Sequence, residues 1–227
     1  MRNIKIAHGE YYHIFNRGMS KQTIFHDNTD RARFLFLILY FQSPVILQNI
    51  SRSVKEFVKH SVFNIDKQEI IKDKFVELTS FCLMPNHFHL LLRQKKENSI
   101  SKFMQKLGTG YTMYFNQKYE RVGSLFQGRF KAILVDRQAH FIHLPFYIHL
   151  NPLEIYRGST SLISTMNFLE NYRWSSFPDY IGKKNFPSVT SREFLSEFFK
   201  GSENYKKEIF KWLKERNLEK IKGIVLE

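Results

Sequence analysis

Phe75-Val76-Glu77-Leu78-Thr79-Ser80-Phe81-Cys82-Leu83-Met84-Pro85-Asn86-His87-Phe88-His89-Leu90-Leu91-Leu92-Arg93 is the stretch whose reading sets the fold. Phe75 to Leu83 reads as a buried strand, Met84-Pro85-Asn86 as a turn, and His87 to Arg93 as the returning partner. Alternate side chains of a strand share a face. His87 and His89 therefore point the same way, while Phe88, Leu90 and Leu92 point into a core. The stretch predicts an antiparallel hairpin that carries two imidazoles side by side.

Working outward, Tyr11 to Phe15 alternates as a strand and ends in the turn Asn16-Arg17-Gly18. Asp27, Asn28 or Thr29 can cap a helix that runs to Phe41 and stops at Ser43-Pro44. Residues 44 to about 73 read as an insertion, helical where Val54, Phe57 and Val58 fall at helical spacing. Ser99 or Ser101 opens a helix carrying Phe103, Met104, Leu107, Tyr111, Tyr114 and Phe115. Leu125 to Asp136 reads as a further strand or hairpin bent at Gly128. A helix from Gln138 or Pro145 to Leu150 follows, ended by Pro152.

The order strand, helix, strand, strand, helix, strand, helix predicts an α+β fold: a ferredoxin-like (RRM-like) antiparallel sheet with helices packed on it. The expected division is a core over residues 1–160 and an accessory, mostly helical C-terminal segment over 161–227. That segment contains Tyr172-Arg173-Trp174-Ser175-Ser176-Phe177 and two Lys- and Glu-rich amphipathic helices. No internal repeat is evident.

Of the 227 residues, 35 are Lys or Arg and 21 are Asp or Glu, a net charge of +14 that suits a polyanionic partner. With 23 Phe and 11 Tyr, rings interleave with cations, the combination on which unpaired bases stack. Most of those Phe residues are expected in the core. A single cysteine, Cys82, excludes an intramolecular disulfide framework and a Cys-based zinc cluster. The longest apolar run, Phe34 to Phe41, is far short of the roughly 20 residues of a membrane span. A soluble, cytoplasmic protein is expected.

Two neutral imidazoles on one strand face form a bidentate clamp for a divalent metal that needs a third ligand. An isolated His-x-His is more often structural, so its surroundings decide. Phe146-Tyr147-Ile148-His149-Leu150-Asn151-Pro152 supplies them: on a helix Tyr147 and Asn151 are one turn apart on one face, and His149 points away from both. A phenol and an amide oxygen could then approach one phosphate. Asn16, Arg17, Arg121, Arg129 and Lys131 lie in turn-rich basic stretches able to contact DNA, although Arg129 and Lys131 read equally well as a solvated strand face.

These residues form an ordered set: Tyr12-His13-Ile14-Phe15-Asn16-Arg17-Gly18, Phe25, Leu83 to Leu92, Phe103-Met104-Gln105-Lys106-Leu107, Tyr114-Phe115-Asn116, Gln127-Gly128-Arg129-Phe130-Lys131, Tyr147 to Pro152 and Trp174-Ser175-Ser176. In that order the chain resembles the REP-associated tyrosine transposases, within the insertion-sequence transposases that use a His-hydrophobic-His motif and a single tyrosine. The resemblance implies that His87 and His89 bind Mg²⁺ or Mn²⁺, that Tyr147 is the nucleophile and that Asn151 is the helix-borne third ligand. It implies single-stranded DNA with a hairpin (a repetitive extragenic palindrome or insertion-sequence end) as partner, cut and rejoined through a 5′-phosphotyrosine, by a monomer or homodimer. Three features depart from the family pattern: the insertion at 44–73, Pro145 just before the tyrosine, and His149 where the family often has an acidic residue. His149 is thereby a second ligand candidate or a general base. The competing readings are a single-stranded DNA or RNA-binding module without catalysis, a nuclease in which water replaces Tyr147, and a domesticated endonuclease of the same fold.

Overall fold

The computed structural model describes residues 6–44, 49–60, 73–136 and 138–215. Four strands, β1 (Tyr11–Arg17), β2 (Val76–Met84), β3 (His87–Gln94) and β4 (Lys131–Leu134), form one antiparallel sheet in the order β2-β3-β1-β4. Around them lie α1 (Asn28–Phe41), α2 (Ile50–His60), α3 (Ser99–Lys118) and α4 (Gln138–Leu150), then α5 (Leu162–Asn171), α6 (Phe177–Tyr180), α7 (Glu193–Phe198) and α8 (Ser202–Lys214). The sheet order and the β-α-β-β-α-β sequence through β4 are those of a ferredoxin-like α+β fold. The expected fold class is borne out.

The hairpin pairs Met84 with His87, so Pro85 and Asn86 make a tight connection. A register shift between Leu78 and Ser80 reverses side-chain parity within β2. Val76 and Leu78 before it, and Phe81 and Leu83 after it, thereby reach the same core. Against this face pack Phe34 and Ile38 of α1 with Phe103, Leu107 and Tyr111 of α3. Asp27 caps α1 in a reciprocal capping box with Asp30.

The opposite face, which includes Cys82, Met84 and Leu91, is covered by α4 and by the C-terminal helices through Phe146, Ile148, Phe177 and Tyr205. Trp174-Ser175-Ser176 runs along the open edge of β2: Leu83 N donates to Trp174 O at 2.8 Å and Ser176 N to Phe81 O at 3.0 Å. An exposed strand edge is thus closed by the chain's own motif.

Within the insertion, 45–48 and 61–72 lie outside the described residues. The helical reading of its middle holds as α2, whose Val54 and Phe57 are buried while Val58 is exposed. The predicted strand over Leu125 to Asp136 is shorter than expected, because Gly128 adopts φ 82° and the chain turns there before β4 begins. Among the described residues no helix is long and apolar enough to cross a membrane.

Candidate active site

β3 brings His87 and His89 to one face, as strand parity requires. Asn86 orients His87: its amide Nδ2 donates to Lys21 O at 3.2 Å, which turns its Oδ1 toward His87 Nδ1 at 2.7 Å. His87 Nδ1 therefore carries a proton; in the neutral ring Nε2 is then unprotonated, and in the imidazolium it donates as well.

That Nε2 lies 3.0 Å from Asn151 Oδ1. In the neutral ring two lone pairs face each other across this contact. The contact is satisfied by a second ring proton on Nε2, by rotating the amide so that Nδ2 donates to the ring, or by a cation that both atoms coordinate. Asn151 Nδ2 is itself buried and has no hydrogen-bond partner among the described residues. Neighbouring ligands of a hexacoordinate Mg²⁺ or Mn²⁺, at bonds of about 2.1 Å, sit roughly 3 Å apart. The donor set of His87, Asn151 and His89 fits such an ion. Among the described residues no group of three or more His, Cys, Asp or Glu side chains could hold a metal ion, and the oxygen that approaches His87 is the Asn151 amide.

His89 is fully buried, and burial first, then the nearby His13 and His87 rings and Arg17, hold its pKa well below the usual histidine range. It stays neutral, as a ligand must. Its Nδ1 is 3.0 Å from Nε2 of His13, a β1 residue whose pKa burial pushes down to about 3. The sequence sets His13 within a motif but gives no sign of a role for it.

Tyr147, on α4, packs edge-on against this pair, its ring centroid 5.4 Å from His89 and 6.0 Å from His13. It is 8% exposed. Asn151 follows where α4 tightens into a 3-10 turn, Asn151–Ile155. His149 projects elsewhere: its Nδ1 meets Tyr205 Oη at 2.6 Å and its Nε2 meets Ser176 Oγ at 2.7 Å. Burial pushes its pKa down to about 3. The structure places it in the second core, away from His87 and His89.

A cavity of about 160 Å³ opens beside the histidines, with Phe15, Arg17, Arg129 and Lys131 among the residues lining it together with His87 and His89. Tyr147 is not one of the lining residues. Asn16 braces the rim, donating to Gly128 O at 3.2 Å and accepting from Arg17 N at 2.9 Å. Arg121 stands apart at the end of α3, over the Phe115 ring at 5.5 Å. A second groove of about 780 Å³ shares Asn16 and Arg129 with the cavity and runs along α3 over Phe88, Phe126 and Phe130.

Residues 45–151 match the family model described as transposase, IS200-like. Over that segment the chain is similar to the IS200-like transposases. His87, His89, Tyr147 and Asn151 all fall inside it, whereas β1 lies outside. A solved structure of a REP-associated tyrosine transposase bound to a REP hairpin is similar at TM-score 0.50 and 12% identity, covering 85% of this chain and 91% of that one. At that identity the likeness speaks for the fold. No curated protein sequence matches. The resemblance read from the ordered motifs is borne out by the segment match and the shared fold.

Proposed function

We propose that this transposase-like chain cuts and rejoins single-stranded DNA beside a hairpin, with Tyr147 as nucleophile. The observation that carries the reading is the convergence of Tyr147 and Asn151 on the His87–His89 face, with the Asn151 oxygen 3.0 Å from His87 Nε2.

Tyr147 Oη attacks the scissile phosphorus, the bond from phosphorus to the 3′ oxygen breaks, and the products are a 5′-phosphotyrosine and a free 3′-hydroxyl. A later attack by a 3′-hydroxyl releases Tyr147 and restores a phosphodiester. His87, His89 and Asn151 would hold Mg²⁺ or Mn²⁺, which when bound polarises the phosphate and stabilises the leaving oxygen. Arg17, Arg129 and Lys131 neutralise the strand's phosphates, and the Phe-floored groove along α3 accepts unpaired bases. A hairpin partner is supported by the fold shared with the hairpin-bound transposase. Residues 161–227 act as an accessory segment that braces α4, His149 being held by Ser176 and Tyr205.

The test is an oligonucleotide with a short hairpin and a 5′ single-stranded flank, incubated with the protein and Mn²⁺. A denaturation-resistant protein–DNA adduct is expected with the wild type and none with Tyr147→Phe. An adduct that survives Tyr147→Phe would overturn the assignment.

A further inference from the structure

His13 is fully buried on β1, is not among the residues lining the cavity, and lies outside the residues matched to the transposase family. Its Nε2 meets His89 Nδ1 at 3.0 Å, with the two ring planes inclined by 18°. A contact between two ring nitrogens needs one donor and one acceptor. Two arrangements satisfy it. If His13 donates, the His89 proton sits on Nε2 and that nitrogen cannot bind a metal. If His89 donates from Nδ1, its Nε2 is unprotonated and the His13 proton sits on Nδ1.

We propose that His13 is a positioning residue for the metal clamp: it accepts the His89 Nδ1 proton and so fixes the tautomer in which His89 Nε2 is the ligand atom. The inference rests on the clamp reading above. Backbone and packing hold His13 in place for this task, since it pairs with Leu91 in the sheet and lies against the Phe15 ring at 4.9 Å. Its Nδ1 is buried without a hydrogen-bond partner among the described residues, so no competing contact dictates which nitrogen carries its proton. The His13 tautomer is set by what His89 requires. Partners of this kind, reached through the distal nitrogen of a ligating histidine, fix its orientation and raise its basicity, and removing them lowers metal affinity about 10- to 100-fold.

The experiment is Mn²⁺ titration calorimetry, without DNA, on wild type, His13→Phe and His13→Gln, with thermal unfolding of the metal-free proteins as a folding control. His13→Phe keeps a ring against Phe15 and removes the acceptor, and its Mn²⁺ affinity should fall about 10- to 100-fold. His13→Gln restores a carbonyl acceptor and should recover most of that affinity. Wild-type binding with unchanged affinity in His13→Phe overturns the inference and leaves the clamp standing. A wild type that binds no Mn²⁺ removes the clamp itself. Should His13→Phe fail to fold, ¹⁵N imidazole shifts of the Mg²⁺-loaded wild type decide the matter. Protonated Nδ1 and unprotonated Nε2 at His89 are expected, and the reverse overturns the inference.

Discussion

His87 Nε2 and Asn151 Oδ1 face each other at 3.0 Å, and because the Asn86 amide accepts from His87 Nδ1, the neutral ring meets the amide oxygen lone pair to lone pair. Such a pair has a use when a cation lies between its members. Asn151→Ala should therefore weaken Mn²⁺ binding by at least tenfold, about 1.4 kcal/mol, while Asn151→Asp, which adds a negative oxygen at the same place, should tighten it. Calorimetric titration of the two variants checks both signs. Equal affinity in wild type and Asn151→Ala would remove Asn151 from the ligand set.

Arg129 and Lys131 share the cavity with His87 and His89, whereas Arg121 lies at the far end of α3. Replacing Arg129 and Lys131 together with Gln should lower single-stranded DNA affinity. The slope of log affinity against log salt should flatten by about 0.7 for each phosphate that the protein no longer neutralises. Arg121→Gln should change the slope less. Fluorescence anisotropy across a salt series measures both. An equal effect from Arg121 would show that the strand's phosphates are not held chiefly at the cavity.

The hairpin and the metal face were legible because β2 and β3 are adjacent in sequence and parity alone decides which side each histidine takes. That Tyr147 and Asn151 both approach the histidine pair was legible for the same local reason, helical spacing. His13 was not. Its place beside His89 depends on β1 pairing with β3 across 76 residues, and nothing local states that register. The one local signal was that Tyr11, His13 and Phe15 share a strand face. The edge contacts of Trp174-Ser175-Ser176 with β2 were equally hidden, being backbone bonds apart from the one that Ser176 Oγ accepts from Phe81 N at 2.9 Å. At β4 the sequence marked the bend at Gly128, and the regular strand begins only after it, at Lys131.

Asp30 is fully buried and ties α1 to α3: its carboxylate accepts from Tyr114 Oη at 2.9 Å, Tyr119 Oη at 2.7 Å and Lys118 Nζ at 2.7 Å, and from His26 N at 2.9 Å. Truncation removes the buried acceptor that Tyr114, Tyr119 and the His26 amide share, while Lys118 keeps Asp27 at 2.7 Å. Asp30→Ala should cost about 1–3 kcal/mol, the range for leaving such donors without their acceptor. Urea unfolding at neutral pH measures it. A change under about 1 kcal/mol, the size of an exposed pair, would show that water or a neighbouring carboxylate takes over the network.

Acid stability should depend on His149. Burial pushes its pKa down to about 3, whereas in the unfolded chain the ring titrates near 6.5. Above pH 6.5 both states are neutral and the group contributes no slope. As pH falls from 6.5 toward 3, the unfolded chain takes a proton that the folded ring refuses, so folding stability declines by about 1.4 kcal/mol per pH unit for this residue. His13, pushed down to about 3 by the same cause, adds a parallel decline. In His149→Gln the contacts to Ser176 and Tyr205 can be kept in part but the titration is gone. Its stability at pH 7 should be lower, yet its slope between pH 6 and 4 should be shallower than wild type by about 1.4 kcal/mol per unit. Denaturant unfolding at closely spaced pH values gives that difference directly, with the carboxylates common to both proteins cancelling. An unchanged slope would mean that His149 takes up a proton in the folded state, and that the contacts with Tyr205 and Ser176 hold an imidazolium.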